Sequence, residues 1–346
     1  MSATVGFLED AVHSLQIPHA HVVRDVKAGL EAVIVIDDTT LGPAAGGVRT
    51  RAYPSAIAAV KDCARLAHAM TIKCALAGLD AGGGKAVVID HAGLDRARAF
   101  HVLGEAIEAL GGAFRTAGDL GTHAADLDVM ASATRFVHTD ERNLAAAVAR
   151  GLAGCAIACA DAHGGSGSIG EMRVAIQGAG AIGAAVARAL AAHGARISIA
   201  DVEAAREIAI AREIGCEIVR PEELLLSPAD LLAPCAIGGV VDGALAARIP
   251  AWGVCGAANN VFADDRAAHV LHDRGVLVVP DVLASAGAVI DGIGASVMKL
   301  ADRTPLIDAL AATAGALLRE SRDTGRTTTD LAHARARARI AAARRV

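Results

Sequence analysis

Aromatic side chains are almost missing from this chain: one Trp, one Tyr and five Phe amount to 2% of its 346 residues. A sizeable core must therefore be aliphatic, and a hydrophobic share of 53% against 21% charged is enough to build one. Strong charge of one sign is lacking too. The net charge is −5, and the only basic concentration is the C-terminal "HARARARIAAARR", which argues against a nucleic-acid partner. That tail is expected to be a solvated helix whose cations suit its C-terminal dipole. No run of 18 apolar residues occurs, and "MSATVGFLEDAVHSLQ" is acidic and amphipathic, so neither a membrane span nor a signal peptide is expected. The seven cysteines are odd in number and scattered. "CAIAC" places Cys155 and Cys159 one helical turn apart without a second pair, which favours core packing over zinc, and no metal is expected. The chain reads as cytoplasmic and reduced.

What is abundant is glycine, and its placement is specific. In "MTIKCALAGLDAGGGKAVVID", Lys73 and Lys85 flank three consecutive glycines, Gly82 to Gly84, ahead of an apolar run. A phosphate loop is excluded: Leu79 stands where its first glycine belongs, Ala86 replaces its Ser or Thr, and the next element reads as a strand. A tight turn explains one or two glycines but not an inward lysine. Two buried lysines could converge on one anionic substrate, and in a cation-rich setting one of them can serve as a base near neutrality.

Along the chain, helices are expected at 5–15, 55–70 and 93–110, with strands at 18–26, 29–37 and 86–90. After the Gly/Ser loop "HGGSGSIGE" the order becomes strict: strand "MRVAIQ", turn "GAGAIG", helix "AAVARALAAHG", strand "ARISIAD". Such alternation indicates a parallel, doubly wound sheet. Gly178, Gly180 and Gly183 satisfy G-x-G-x-x-G between strand and helix, so Gly178, Ala179, Gly180, Ala181, Ile182 and Gly183 are candidate pyrophosphate-binding residues. Asp201 closes the second strand 18 positions after Gly183, where an acid accepts hydrogen bonds from a ribose diol and repels a 2′-phosphate; NAD is expected rather than NADP.

Several blocks then resemble, in order, the leucine/phenylalanine/valine branch of the glutamate dehydrogenase-type amino-acid dehydrogenases. They are "LGPAAGGVR", "AMTIKCALAGLDAGGGKAVV", "TAGDLGT", "VAIQGAGAIG", "APCAIGGVV", "GAANN" and "VVPDVLASAGAVI". The resemblance implies an α/β chain of two domains: an N-terminal substrate and oligomerisation domain over 1–140, and a Rossmann NAD domain over 141–320. Helices at 321–346 would pack back toward the first. It also implies NAD-dependent, reversible oxidative deamination of an L-amino acid to a 2-oxo acid and ammonia by a homo-oligomer. Under it Lys73, with Gly46 and Gly47, would hold the substrate carboxylate. Lys85 would activate water, Asp119 would exchange protons with the amino group, and Met70, Ala45 and Ser285 would line the substrate. Cys235, Ala236, Ile237, Asn259 and Asn260 would line the cofactor cleft.

The pattern departs from the family at several places. Ser285 stands for an Asn, Glu141-Arg142-Asn143-Leu144 for Ser-Pro-x-Thr, Gly118 for the acid before Asp119, and Ala45 for a leucine. Ala45, with Ala314 and Leu317 as further walls, would admit a large or unusual side chain. Two other readings stay open: a cyclodeaminase that recycles its NAD internally, and a non-catalytic NAD-binding member of the family.

Overall fold

The computed structural model describes residues 7–17, 19–164 and 167–345. The chain forms two compact units. One holds Met1–Glu141, Gly292–Lys299 and Ala336–Val346; the other holds Arg142–Asp291 and Leu300–Arg335.

In chain order the first unit runs α1 (Phe7–Ser14), β1 (Ala20–Asp25), β2 (Leu30–Asp38), β3 (Ala44–Ala45), β4 (Val48–Arg51), α2 (Ala56–Leu76), β5 (Gly82–Ile89), α3 (Arg96–Ala109), β6 (Phe114–Arg115) and α4 (Ala124–Ala131). The first two positions of the helix expected at 5–15 lie outside the described residues. The sheet order is β1-β2-β5-β3-β6, with β4 also on β5. Strand β5 is its axis, antiparallel to β2 and parallel to β3 and β4. Residues alternate between its two faces. One face packs Ala86 and Val88 on Phe100 and Leu103 of α3 and Met130 of α4. The other packs Val87 on Ala59, Cys63 and Ala67 of α2 and Leu8 of α1.

The glycine run is not a turn. Strand β5 begins at Gly82, four residues earlier than expected, and all eight of its residues are buried. The cause is tertiary. A Cβ on Gly83 would stand 2.1 Å from the backbone nitrogen of Thr71 and 2.5 Å from the Ala67 carbonyl oxygen, both in α2. A Cβ on Gly82 would stand 1.7 Å from the carbonyl oxygen of Asp38. Helix α2 therefore lies directly on the strand's backbone, and it runs six residues past the expected end at 70, carrying Lys73 in its last turn. Its start is fixed by Ser55, whose hydroxyl accepts from the Ala58 amide at 3.2 Å.

The second unit runs α5 (Leu144–Ala162), β7 (Arg173–Gln177), α6 (Ala181–Ala192), β8 (Arg196–Ala200), α7 (Ala204–Ile214), β9 (Glu217–Ile218), α8 (Pro221–Leu224), β10 (Leu231–Pro234), α9 (Gly243–Ala246), β11 (Gly253–Val254), α10 (Asp265–Asp273), β12 (Leu277–Val278), α11 (Asp281–Ala284), α12 (Gly287–Ser296), α13 (Thr304–Thr324) and α14 (Thr328–Ala343). Helix α12 ends in the first unit, as does α14 from Ala336 onward. All its strands are parallel, in the order β12-β11-β10-β7-β8-β9. This is the doubly wound Rossmann arrangement, with the order reversing between β7 and β10. Helix α5 is long and apolar enough to cross a membrane by composition alone, and burial accounts for it: Val148, Leu152, Cys155 and Cys159 face the core. Burial pushes both thiols up to about 12, so they behave as small apolar residues.

The Arg-rich tail is not simply solvated. Arg339 donates to the carbonyls of Cys74 (3.4 Å) and Ala75 (3.0 Å) and meets Asp80 at 3.1 Å, so it caps the α2 terminus that carries Lys73. Arg344 pairs with Asp38 at 2.7 Å, and Arg335 with Glu320 at 2.5 Å.

Gly83→Ala is expected to lower unfolding stability by on the order of 1–3 kcal/mol or more, because neither backbone nor helix can yield a methyl's space. Denaturant unfolding measures this, and a wild-type midpoint would disprove the packing account.

Candidate functional site

In the first unit the residues gather around one carboxylate. Lys85 lies mid-way along β5, with its side chain on the α2 face, like Gly83 and Val87. Its Nζ stands 2.6 Å from Asp119 Oδ2. Asp119 follows β6 in a short loop, and its oxygen Oδ2 also accepts from Arg49 Nε at 3.0 Å. Lys85 is nearly buried, its side chain 7% exposed against 19% for Asp119. Burial alone would raise the Asp119 carboxyl pKa. The Lys85 and Arg49 cations outweigh that and bring it down from 3.8 to about 2. Asp119 is thus an anion and an acceptor throughout the neutral range.

Gly46 and Gly47 make this approach sterically feasible. A Cβ on Gly46 would stand 1.8 Å from the Gly84 carbonyl oxygen; one on Gly47 would stand 2.6 Å from the Gly118 carbonyl oxygen and 3.0 Å from Asp119 Cβ. The segment threads between β5 and the Asp119 loop, with Gly46 donating to the Arg115 carbonyl at 3.1 Å. Lys73 is buried in α2, two residues beyond the Thr71 that lies on Gly83. Met70 is half-buried on that helix, and Ala45 is fully buried where β3 pairs Gly83 of β5.

A second carboxylate stands behind the first. Arg49 NH1 reaches Asp62 Oδ2 at 3.2 Å; that oxygen also accepts from the Tyr53 hydroxyl at 2.7 Å, and Asp62 Oδ1 takes Arg65 at 2.7 Å. Arg49, Asp62 and Tyr53 were not singled out from sequence. The available signal was Arg49 itself, a charge beside the Gly-Gly pair in a strand whose neighbour Val48 is wholly buried. Gly118 holds a related surprise: the volume its side chain would take is occupied by Glu141, whose Oε1 stands 2.5 Å from the ideal Cβ position.

In the second unit the candidate cofactor residues gather where the strand order reverses. Gly178 ends β7 with φ +100, and a Cβ there would press on Ala236, 2.8 Å away, just past β10. Gly183 approaches the Gly178 carbonyl oxygen so closely that a Cβ would sit 2.0 Å from it. Gly180 differs: the nearest atom to its Cβ position, Arg206 NH1, is 4.0 Å away, so its backbone faces open space. It precedes α6 without any side-chain cap, leaving the helix's first N–H groups for an anion. Asp201 follows β8. Its carboxylate accepts from the Ala179 amide at 2.6 Å and the Glu203 amide at 2.8 Å, while its own amide donates to Glu207 at 2.7 Å. These residues fit a dinucleotide on observed geometry: open glycine backbone, unclaimed helix N–H groups and an acid at the second strand's end.

Cys235, Ala236 and Ile237 follow β10, with Ile237 69% exposed. Asn260 takes positive φ, its amide donating to Asp281. Ser285 donates its hydroxyl to the Asp281 carbonyl at 2.6 Å, within its own short helix. Ala314 and Leu317 are fully buried on α13.

Models of two domains match the chain: the Glu/Leu/Phe/Val dehydrogenase dimerisation domain over residues 13–136 and the Glutamate/Leucine/Phenylalanine/Valine dehydrogenase domain over 202–293. Leucine dehydrogenase of Bacillus cereus is 36% identical over 276 residues, 78% of this chain and 75% of the relative. Phenylalanine dehydrogenase of Lysinibacillus sphaericus is 35% identical over 286 residues, 79% of this chain and 75% of the relative. The crystal structure of L-tryptophan dehydrogenase from Nostoc punctiforme superposes with a TM-score of 0.82 at 28% identity, covering 98% of this chain and all of the other.

A carboxyl group held below its unfolded pKa stabilises the fold above that value, and loses the contribution as pH falls through the folded one. For Asp119 that window runs from 3.8 down to about 2. Unfolding free energy measured across it should drop more steeply in wild type than in Asp119→Asn. Parallel curves would refute the pairing.

Proposed function

The chain belongs to the Glu/Leu/Phe/Val dehydrogenase family, and on that premise we propose that it catalyses the reversible, NAD-dependent oxidative deamination of an L-amino acid to a 2-oxo acid and ammonia. The observation that carries the proposal is the buried 2.6 Å contact of Lys85 with Asp119 beside the Gly46–Gly47 segment. A non-catalytic dinucleotide-binding protein has no need of a buried ammonium and carboxylate in one place, since such a pair is hard to desolvate.

Lys73 supplies the ammonium that matches the substrate carboxylate. Asp119, an anion at neutral pH, accepts a hydrogen bond from the substrate ammonium, whose proton leaves to water without settling on the carboxylate, so that the nitrogen lone pair is free. When bound, NAD supplies the acceptor for the hydride that leaves Cα. Lys85, as the neutral amine beside the Asp119 anion, takes a proton from the water that adds to the resulting iminium carbon. The Lys85 ammonium gives that proton to the nitrogen of the adduct, and ammonia leaves as the hydroxyl proton passes back to Lys85, so that the 2-oxo acid remains. Run backward, the same groups aminate the oxo acid. The first unit holds the substrate in this reading and the second the dinucleotide.

NAD is favoured over NADP by Asp201. A carboxylate at the end of the second strand disfavours a 2′-phosphate, while a ribose diol can donate to Asp201. The side-chain class is apolar or aromatic. Ala45 in place of leucine puts a smaller side chain on β3 and favours bulkier substrates, each methylene being worth about 1–3 kcal/mol in an apolar pocket. A homo-oligomer in a reducing cytoplasm agrees with the dimerisation-domain match and with seven unpaired thiols.

One amino-acid panel followed by NADH absorbance tests the reading. NADH should accumulate with amino acid alone, faster with NAD than NADP, and phenylalanine and tryptophan should outperform valine. Lys85→Ala should lose turnover by about 10²-fold or more while still binding NAD. Retained turnover in that variant would remove the proposal; a preference for valine would remove only the bulky-substrate part.

A further inference from the structure

We propose that Arg49 is a positioning residue for the reaction: its guanidinium bridges Asp119 and Asp62 and supplies a permanent positive charge that keeps Asp119 anionic while the proton of Lys85 comes and goes. This rests on the reading of Lys85 and Asp119 as the proton-transfer pair.

The argument begins from one shared atom. Asp119 Oδ2 takes both Lys85 Nζ, at 2.6 Å, and Arg49 Nε, at 3.0 Å. With Lys85 alone, the pair would hold one proton between two buried groups. Each time the lysine became neutral, the carboxylate would face an uncharged amine, and its burial would draw the next proton onto it. A guanidinium does not titrate in the working range, so Arg49 remains a cation at every stage. The mobile proton then passes among Lys85, water and substrate nitrogen rather than settling on Asp119.

The guanidinium is itself fixed. Arg49 is only 13% exposed and spans two carboxylates with different nitrogens, Nε to Asp119 and NH1 to Asp62. Asp62, on α2, is held by Tyr53 at 2.7 Å and Arg65 at 2.7 Å. One ammonium could not reproduce this fork. A merely structural tie of β4 to α2 would need only Asp62; the Nε contact reaches a third element, the loop after β6.

The charged groups facing this centre come from every element around it. They are Lys85 from β5, Asp62 and Arg65 from α2, Arg51 of β4 over Tyr53, and Glu141 beside Gly118. The Cys63 thiol, pushed up to about 12 by burial, stays neutral.

The test is the pH dependence of kcat for the best substrate of the amino-acid panel. Removing a cation makes a proton harder to remove from the Lys85–Asp119 pair, so Arg49→Gln should move the rising limb to higher pH by about one unit. It should lower kcat about tenfold or more, with KM for the amino acid within about threefold because Lys73 is untouched. Arg49→Lys should return the limb toward wild type without fully restoring kcat. Asp62→Asn removes a negative charge and should move the limb the other way, to lower pH. A folded Arg49→Gln protein that binds NAD normally and keeps the wild-type limb overturns the proposal. Were that variant not to fold, an unmoved limb in Asp62→Asn overturns it equally. Turnover surviving in Lys85→Ala would overturn the pair's assignment itself; lost turnover there with an unmoved limb in Arg49→Gln overturns only the role of Arg49.

Discussion

A single carboxylate oxygen, Asp119 Oδ2, accepts from two cations that are both largely withdrawn from water. Ions in such a place are tolerated only when each has a partner at contact distance, because the cost of desolvation otherwise exceeds the attraction. The first unit is built to meet that requirement. Lys85 comes from the central strand, Arg49 from the strand beside it, and Asp119 from the loop that Gly47 permits to approach. The glycines at 82–84 act one layer further out. Gly83 lets α2, which carries Asp62 and Lys73, lie on bare backbone, while Gly82 and Gly84 make room for Asp38 and Phe114.

The second unit meets a different constraint with different means. A dinucleotide's phosphates need many weak, fixed donors rather than one strong pair, and backbone N–H groups at a helix start supply them. Side chains are therefore absent where the backbone must be reached, at Gly180, and tight packing holds the loop elsewhere, at Gly178 and Gly183. Asp201 serves both needs. Its contacts with the amides of Ala179 and Glu203 hold the glycine turn in shape, and its charge stands at the end of β8.

These differences explain what could be read from sequence. The glycine fingerprint is local: three positions at fixed spacing, a strand before, a helix after, so the turn, the parallel sheet and Asp201 were all legible. The Lys85–Asp119 contact joins residues 34 positions apart, and no periodicity encodes it; only the likeness of whole blocks to a family pointed there. Gly82 to Gly84 suggest a turn because glycine's local preference is for turns, whereas the cause is close approach by Asp38, by the α2 backbone and by Phe114 in turn. The Arg-rich tail looks solvated along the chain for a similar reason. Arg339 finds its partners, the last carbonyls of α2, across some 260 residues. Arg49 sat in a quoted motif, yet its role depends on Asp62 and Asp119, neither of which its local pattern reveals.

The departures from the family's pattern carry the same lesson in reverse. Along the chain, Gly118 and Glu141 look like two unrelated losses: an acid missing before Asp119, and an acid appearing where a serine is usual. In space they are one change. The Glu141 carboxylate stands in the volume that a side chain at 118 would take, and a Cβ there would make that flexible side chain shift. A negative charge thus stands beside position 118, supplied from 23 positions downstream. Electrostatics depends on where a charge stands and not on which residue bears it, so a site can keep its field while its motif changes.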